Sequence, residues 1–135
     1  MADINHSFYS EASFEEIYEM FSTKIGLRQW WTSDVRGGEE VGDTIIFGFG
    51  DEGEASFKIL ESMPYEFLKW KYVGKETDQW FGTEIIVHLS TSGKKVKVSF
   101  HHNNFKENNA FFKDCDSSWE RYLQKLKQVL EIKNE

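Results

Sequence analysis

"NAFFKDCDSSWERYLQKLKQVLEI", residues 109–132, is the stretch that decides the fold. Phe112, Cys115, Trp119, Tyr122, Leu123, Leu126, Val129 and Leu130 recur in steps of three and four, which stacks them along one face of an α-helix. Glu120, Arg121, Lys125 and Lys127 fall outside that stripe and face water. The spacing predicts one long amphipathic helix from about Asn109 to Ile132, with the residues after it fraying. An apolar stripe of that length needs an equally long apolar surface to pack against, and the rest of the chain has to supply it.

Upstream of the helix the hydrophobic period is two, the signature of strands, with turn residues between segments. "GDTIIFGFG" (42–50) puts Ile45, Phe47 and Phe49 on one face, and "GDEG" (50–53) turns the chain into "EASFKILES" with Phe57 and Ile59 as core candidates. Pro64 turns it again, because its fixed φ suits a turn and its missing N–H suits no central strand. "YEFLKWKYV" (65–73) alternates Leu68, Trp70 and Tyr72 against Lys69 and Lys71. "TEIIVHLS" offers Ile85, Val87 and Leu89, "TSGK" is a hairpin turn, and "KVKVSFH" offers Val96, Val98 and Phe100. Five strands in succession, joined by short links, predict an antiparallel meander.

Ahead of the meander, a strand over Ile4–Tyr9 leads into "ASFEEIYEMFS". There Ser13 and Glu16 form a capping-box pair, Phe14, Ile17, Tyr18 and Phe21 keep helical spacing, and Ala12 and Ile17 are placed to staple the helix entry. A shorter helix over Lys24–Trp31 brings Trp30 and Trp31 to its end, just before the polar run "TSDV". Two adjacent indoles there either close the core or border a pocket, and a position at an element's end predicts that at least one is partly exposed.

The chain has 135 residues, 16% of them aromatic, and a formal charge of −7. That length fits a single domain, 1–135, able to bury a real core. The acidic balance repels nucleic acid, and Lys94, Lys95 and Lys97 alternate with apolar residues as the solvent face of a strand rather than as a basic footprint. "MADINHSFYS" lacks the basic and apolar regions of a signal peptide, and no segment approaches the ~20 apolar residues of a membrane span. With a lone cysteine, Cys115, this predicts a cytoplasmic protein without disulfides.

This order of elements, the "WW" after the second helix, "FLKWKY" after Pro64 and the last helix with Trp119 before "YLQKLKQVL" resemble the START-like, or SRPBCC, superfamily of lipid-transfer domains, pollen allergens and polyketide cyclases. Within it the chain is similar to the branch of the activator of the Hsp-ninety ATPase, and to its small bacterial members. The resemblance covers nearly the whole chain. It implies an α+β helix-grip fold: a curved antiparallel sheet wrapped around the long C-terminal helix, with two short helices after the first strand. It also implies a cavity between sheet and helix that holds a lipid, sterol, hormone or polyketide in several branches. Carried onto this chain, Trp30 and Trp31 would sit at the cavity mouth. Phe47, Phe57, Leu68, Trp70, Ile85, Val87 and Phe100 would point from the sheet, and Trp119 and Tyr122, with Leu126, from the helix. One of the paired indoles would then pack the end of the grip and the other border a pocket. Close packing of these same side chains into a filled interior is the alternative.

No catalytic signature accompanies the pattern: there is no H-E-x-x-H, no paired cysteines, no G-x-S-x-G and no phosphate-binding glycine loop. His101 and His102 are neighbours on a strand and point to opposite faces. One of them with His88 makes at most a pair, short of the three or four ligands of a zinc site. Cys115 lies on the apolar stripe with no base beside it, as a buried small hydrophobe does. Asp34, Glu39 and Glu40 read as solvated turn residues. No metal, cofactor or catalytic residue is therefore assigned. Three function classes stay open: a binder of a small apolar or amphipathic ligand, a protein-interaction module or chaperone cofactor, and a cyclase-like or hydrolase-like enzyme. The 135 residues carry no counterpart of the named relative's separate N-terminal domain, which weighs against the chaperone reading. Trp80 and Phe81 are candidates for an exposed patch or a dimer contact, with packing at the strand entry as the alternative, and the chain is expected to be a monomer or a homodimer.

Overall fold

The computed structural model describes residues 1–134. The chain runs β1 (Ala2–Ser10), α1 (Phe14–Ser22), α2 (Lys24–Trp30), β2 (Asp34–Gly37), β3 (Thr44–Gly48), β4 (Glu54–Met63), β5 (Phe67–Tyr72), β6 (Glu84–Ser92), β7 (Lys95–Phe105) and α3 (Ala110–Lys133). One seven-stranded antiparallel sheet has the order β1-β7-β6-β5-β4-β3-β2. From β3 to β7 it is the expected meander, with Gly93 at φ 62° supplying the left-handed residue of the β6–β7 hairpin.

The extra strand is β2, which pairs with β3 from Asp34↔Gly48 to Gly37↔Ile45. Only Val35 of its four residues is buried, so no alternation marks it in the sequence. Since β1 and β2 are the two edges, the chain between them must cross the whole open side of the sheet, and α1 and α2 make that crossing.

The capping box forms as expected: the Ser13 hydroxyl accepts from the Glu16 N–H at 3.1 Å, and the Ser13 N–H donates to the Glu16 carboxylate at 3.4 Å. Ala12 and Ile17 are both buried, as a staple requires. Thr23 then serves both helices, as C-cap of α1 and as N-cap of α2, its hydroxyl accepting from Gly26 N–H at 3.0 Å. Gly26 permits the sharp turn, for a Cβ there would run into the Glu19 carbonyl and the Met20 backbone.

α3 lies across the concave face and buries Cys115, Trp119, Leu123, Leu126 and Leu130 against inward side chains of the sheet such as Phe47, Phe57, Val87 and Phe100. The helix does not fray at Ile132. It continues to Lys133 and is capped by Asn134, whose side-chain amide donates to Leu130 O at 2.8 Å and to the Glu16 carboxylate at 3.3 Å, tying the end of α3 to the start of α1. Glu135 lies outside the described residues.

Candidate functional site

α3 does not seal against the sheet along its first half. Phe111, Asp114, Cys115, Ser118, Trp119 and Tyr122 occupy one helical face above a cavity of about 510 Å³. The opposite wall is the turn into β4, with Phe49, Glu52, Glu54 and Ala55, and the far side is the end of β5 and the loop after it, with Tyr72, Asp78, Gln79 and Trp80. Trp31 closes the inner end. The volume falls within the usual range of small-molecule sites, ~300–1,000 Å³.

The two adjacent tryptophans divide. Trp30 is core: its indole N–H donates to Met20 O at 2.8 Å and its ring meets Phe21 edge-on, with centroids 5.3 Å apart. Trp31 is the C-cap of α2, and its ring packs 4.1 Å from Phe47 and 4.8 Å from Trp119 while contributing to the cavity. The expectation of partial exposure does not hold, since Trp30 is 2% and Trp31 7% exposed. The helix end where they sit is roofed by α3 and by Phe49, which the sequence position alone does not reveal.

Trp119 is held from behind. Its indole N–H donates to His102 Nδ1 at 3.0 Å, and the other ring nitrogen lies 2.9 Å from the Thr83 hydroxyl. That hydroxyl donates to Trp80 O at 2.6 Å, so the proton between Thr83 and His102 belongs to His102 Nε2 and the imidazole is neutral. Complete burial lowers its pKa to about 3, and Phe105 and Trp80 pack against its ring at 4.6 and 5.1 Å. Trp80 in turn donates its N–H to Cys115 Sγ at 3.2 Å, and burial pushes that thiol above its ordinary pKa. The Tyr72 hydroxyl donates to Asp78 at 2.6 Å, as does the Lys75 N–H at 2.9 Å. These two bonds lower the Asp78 pKa, while burial and the Asp78 carboxylate raise that of Tyr72.

Of the eleven side chains expected at the site, Trp31, Trp119 and Tyr122 line the cavity. Trp30, Phe47, Phe57, Leu68, Trp70, Ile85, Val87 and Phe100 are buried among one another instead, because the middle of the grip is filled by its own rings. Trp70 keeps an indole N–H without a partner there. Of the remaining cavity residues, Phe49, Tyr72 and Cys115 belong to the hydrophobic pattern as core positions, and the others mostly escape it as loop or polar residues. Phe111 and Ser118 carry a usable signal: they lie four residues before and three after Cys115, seven from one another, on the flank of the apolar stripe. Trp80 is no free surface patch but half-buried cavity wall, and Phe81 is half-buried under Lys106 Nζ, 5.4 Å from its ring centroid. His101 and His102 do face opposite ways: His101 Nδ1 lies 2.6 Å from Asn5 on the outer face, on the side of His88, so the three do not converge. Among the described residues no group of three or more His, Cys, Asp or Glu is arranged to hold a metal.

The family model described as activator of Hsp90 ATPase homolog 1-like protein matches residues 11–131. The chain belongs to this family. It is similar over 98% of both chains, at 38% identity and a TM-score of 0.90, to the Aha1 dimer of Colwellia psychrerythraea, solved in solution. At 13% identity it shares the fold of a Mesorhizobium loti protein (TM-score 0.83; 96% of this chain and 97% of that one). At 19% identity it shares the fold of CalU16 from Micromonospora echinospora (TM-score 0.78; 95% and 75%). No curated protein matches the chain. The family fold is START-like, and no described helix is long and apolar enough to cross a membrane.

Proposed function

We propose that the chain binds a small apolar or amphipathic molecule in the cavity between the first half of α3, the start of β4 and the loop after β5. The observation that carries this reading is an opening of about 510 Å³ with seven aromatic side chains in its walls, beside a core of buried rings and aliphatic side chains. Burial of apolar area would supply affinity, and a few polar groups on the rim would orient the ligand. The hydroxyl–carboxylate pair in the lining, Tyr72 and Asp78, has its phenol pKa raised rather than lowered, which does not activate it as a nucleophile, so binding accounts for the geometry better than catalysis does.

The test is a panel of fatty acids, sterols, flavonoids and aromatic polyketides, read by tryptophan fluorescence and thermal melting. A true ligand at ~100 times its Kd stabilises the fold by about 2.7 kcal/mol. Trp31→Ala should weaken binding more than it lowers stability. A panel that leaves fluorescence and melting temperature unchanged refutes the reading. Native mass spectrometry of protein from its own host would detect a retained ligand directly.

A second reading rests on the family description and on the 38% identical relative that carries the Aha1 name: the chain acts as a cofactor of the chaperone ATPase. Stimulation of that ATPase by the purified chain supports it, and absence of both stimulation and complex formation refutes it. The dimeric relative also supports a homodimer for this chain, which sedimentation over a concentration series would test.

A further inference from the structure

The charges around the cavity are one-sided. Glu52, Glu54, Asp78 and Asp114 line it, and no Lys, Arg or His does. Glu54 is paired with Arg36, and Asp78 accepts from Tyr72 and Lys75. Glu52 and Asp114 are exposed, with no hydrogen-bonded or ion-paired partner among the described residues. They face the opening from opposite walls, one on the turn into β4 and the other on α3. Three of the donors in the same space are already used, since Trp119, Trp80 and Tyr72 donate to His102, Cys115 and Asp78. The partial positive charge at the start of α3 is small beside four carboxylates. What the cavity presents to an occupant is ring faces inside a rim whose charges are all negative.

We propose that this cavity selects an organic cation: an ammonium group carried on an apolar body, with the body against the Trp31 and Trp119 rings and the charge among the rim carboxylates. This rests on the reading of the cavity as a ligand site and names the ligand class. The half-buried rings of Phe49, Phe111 and Tyr122 share the lining with those carboxylates, and ring faces attract a cation electrostatically, more strongly where water is displaced. Carboxylates on both walls add to that attraction through a medium of lower dielectric than water. An anionic amphiphile of the same shape brings its head group against like charge. A neutral one gains only apolar burial.

Three probes with one tail separate these cases: octyltrimethylammonium, octanol and octanoate, each titrated below its aggregation limit. Binding is followed by tryptophan fluorescence and by the indole N–H shifts of Trp31 and Trp119. The ammonium should bind at least about tenfold more tightly than octanol, octanoate should bind most weakly, and raising salt to about 0.5 M should shrink the cation's advantage. The double variant Glu52→Gln, Asp114→Asn should lose most of that advantage over octanol, with the fold intact by thermal melting. Octanol or octanoate binding as tightly as the ammonium, or a double variant that keeps full discrimination, overturns the charge selection and leaves the cavity reading standing. Failure of all three probes to perturb either indole removes the cavity reading and the inference with it.

Discussion

Replacing His102 by Asn should flatten the acid side of the stability curve. In the native fold His102 is fully buried and neutral, accepts from Trp119 at Nδ1 and donates from Nε2 to Thr83. Protonation would turn Nδ1 into a donor facing another donor, inside a shell of Phe57, Trp80 and Phe105. Its pKa is depressed from 6.5 to about 3, so between those two values the unfolded chain binds a proton that the folded chain does not. Unfolding free energy must then rise with pH. This stabilisation is complete above pH ~6.5 and is lost as pH falls toward ~3, at ~1.4 kcal/mol per pH unit and about 4–5 kcal/mol at most. The side-chain oxygen of Asn can stand near the place of Nδ1 and keep an acceptor for Trp119, but it has no proton to gain. Urea melts of the native chain and of His102→Asn at pH 7, 6, 5 and 4 isolate the contribution, because carboxylate titration is common to both. The native curve should be steeper by roughly 1 kcal/mol per pH unit below pH 6. Parallel curves would show that His102 takes up its proton in the native fold, and that the assignment of a neutral imidazole locked between Thr83 and Trp119 is wrong.

Trp30→Ala, Trp70→Ala and Trp119→Ala should each cost about 3–5 kcal/mol in chemical denaturation, since all three rings are buried. Trp31→Ala should cost less, because part of its ring already borders open volume, and an equal loss at all four would contradict that distinction. Ending the chain before Trp119 removes Trp119, Leu123, Leu126 and Leu130 from the core and should abolish cooperative melting, and a soluble truncation with a sharp transition would refute the dependence. Cys115 is buried, its thiol pKa is raised and its sulfur accepts from Trp80, so thiol-disulfide reagents at pH 8 should react far more slowly with native than with urea-unfolded protein. Comparable rates would place that thiol in solvent.

The parts of the molecule that were legible in the sequence are those where burial imposes a period. The α3 stripe shows at three and four, and β3 to β7 show at two, because each presents one long face to a common core. Val35 is the only buried residue of β2, so one apolar side chain cannot declare a period and the strand stays silent. The cap at Asn134 is silent for a different reason, as its partners Glu16 and Leu130 are brought together only by the docking of α3 on α1. The cavity is less legible still. Glu52, Asp78 and Gln79 come from turns whose positions depend on where β4 and β5 end, and nothing in their local pattern says that α3 stands above them. An inward orientation is what the hydrophobic pattern predicts for the expected side chains, and the middle of the grip and its open end share that property.

That division between middle and end follows from how the rings are used. Each indole at the cavity has one side fixed by the core: Trp31 lies on Phe47, Trp119 on Phe100 at 4.5 Å, and Trp80 on His102. Trp119 and Trp80 also have their N–H groups bonded within the protein. Such rings are rigid and turn toward the opening as apolar faces with little hydrogen-bonding capacity of their own. Selectivity at this end of the grip must therefore come from what surrounds the rings, which is shape along α3 and charge along the rim. A ligand orders little of the protein when it enters a site held in this way, so the entropic cost of binding falls mainly on the ligand itself. The Thr83–His102–Trp119 chain of hydrogen bonds links the two properties. It stabilises the fold above pH ~6.5, and it holds in place the ring on which an occupant would rest.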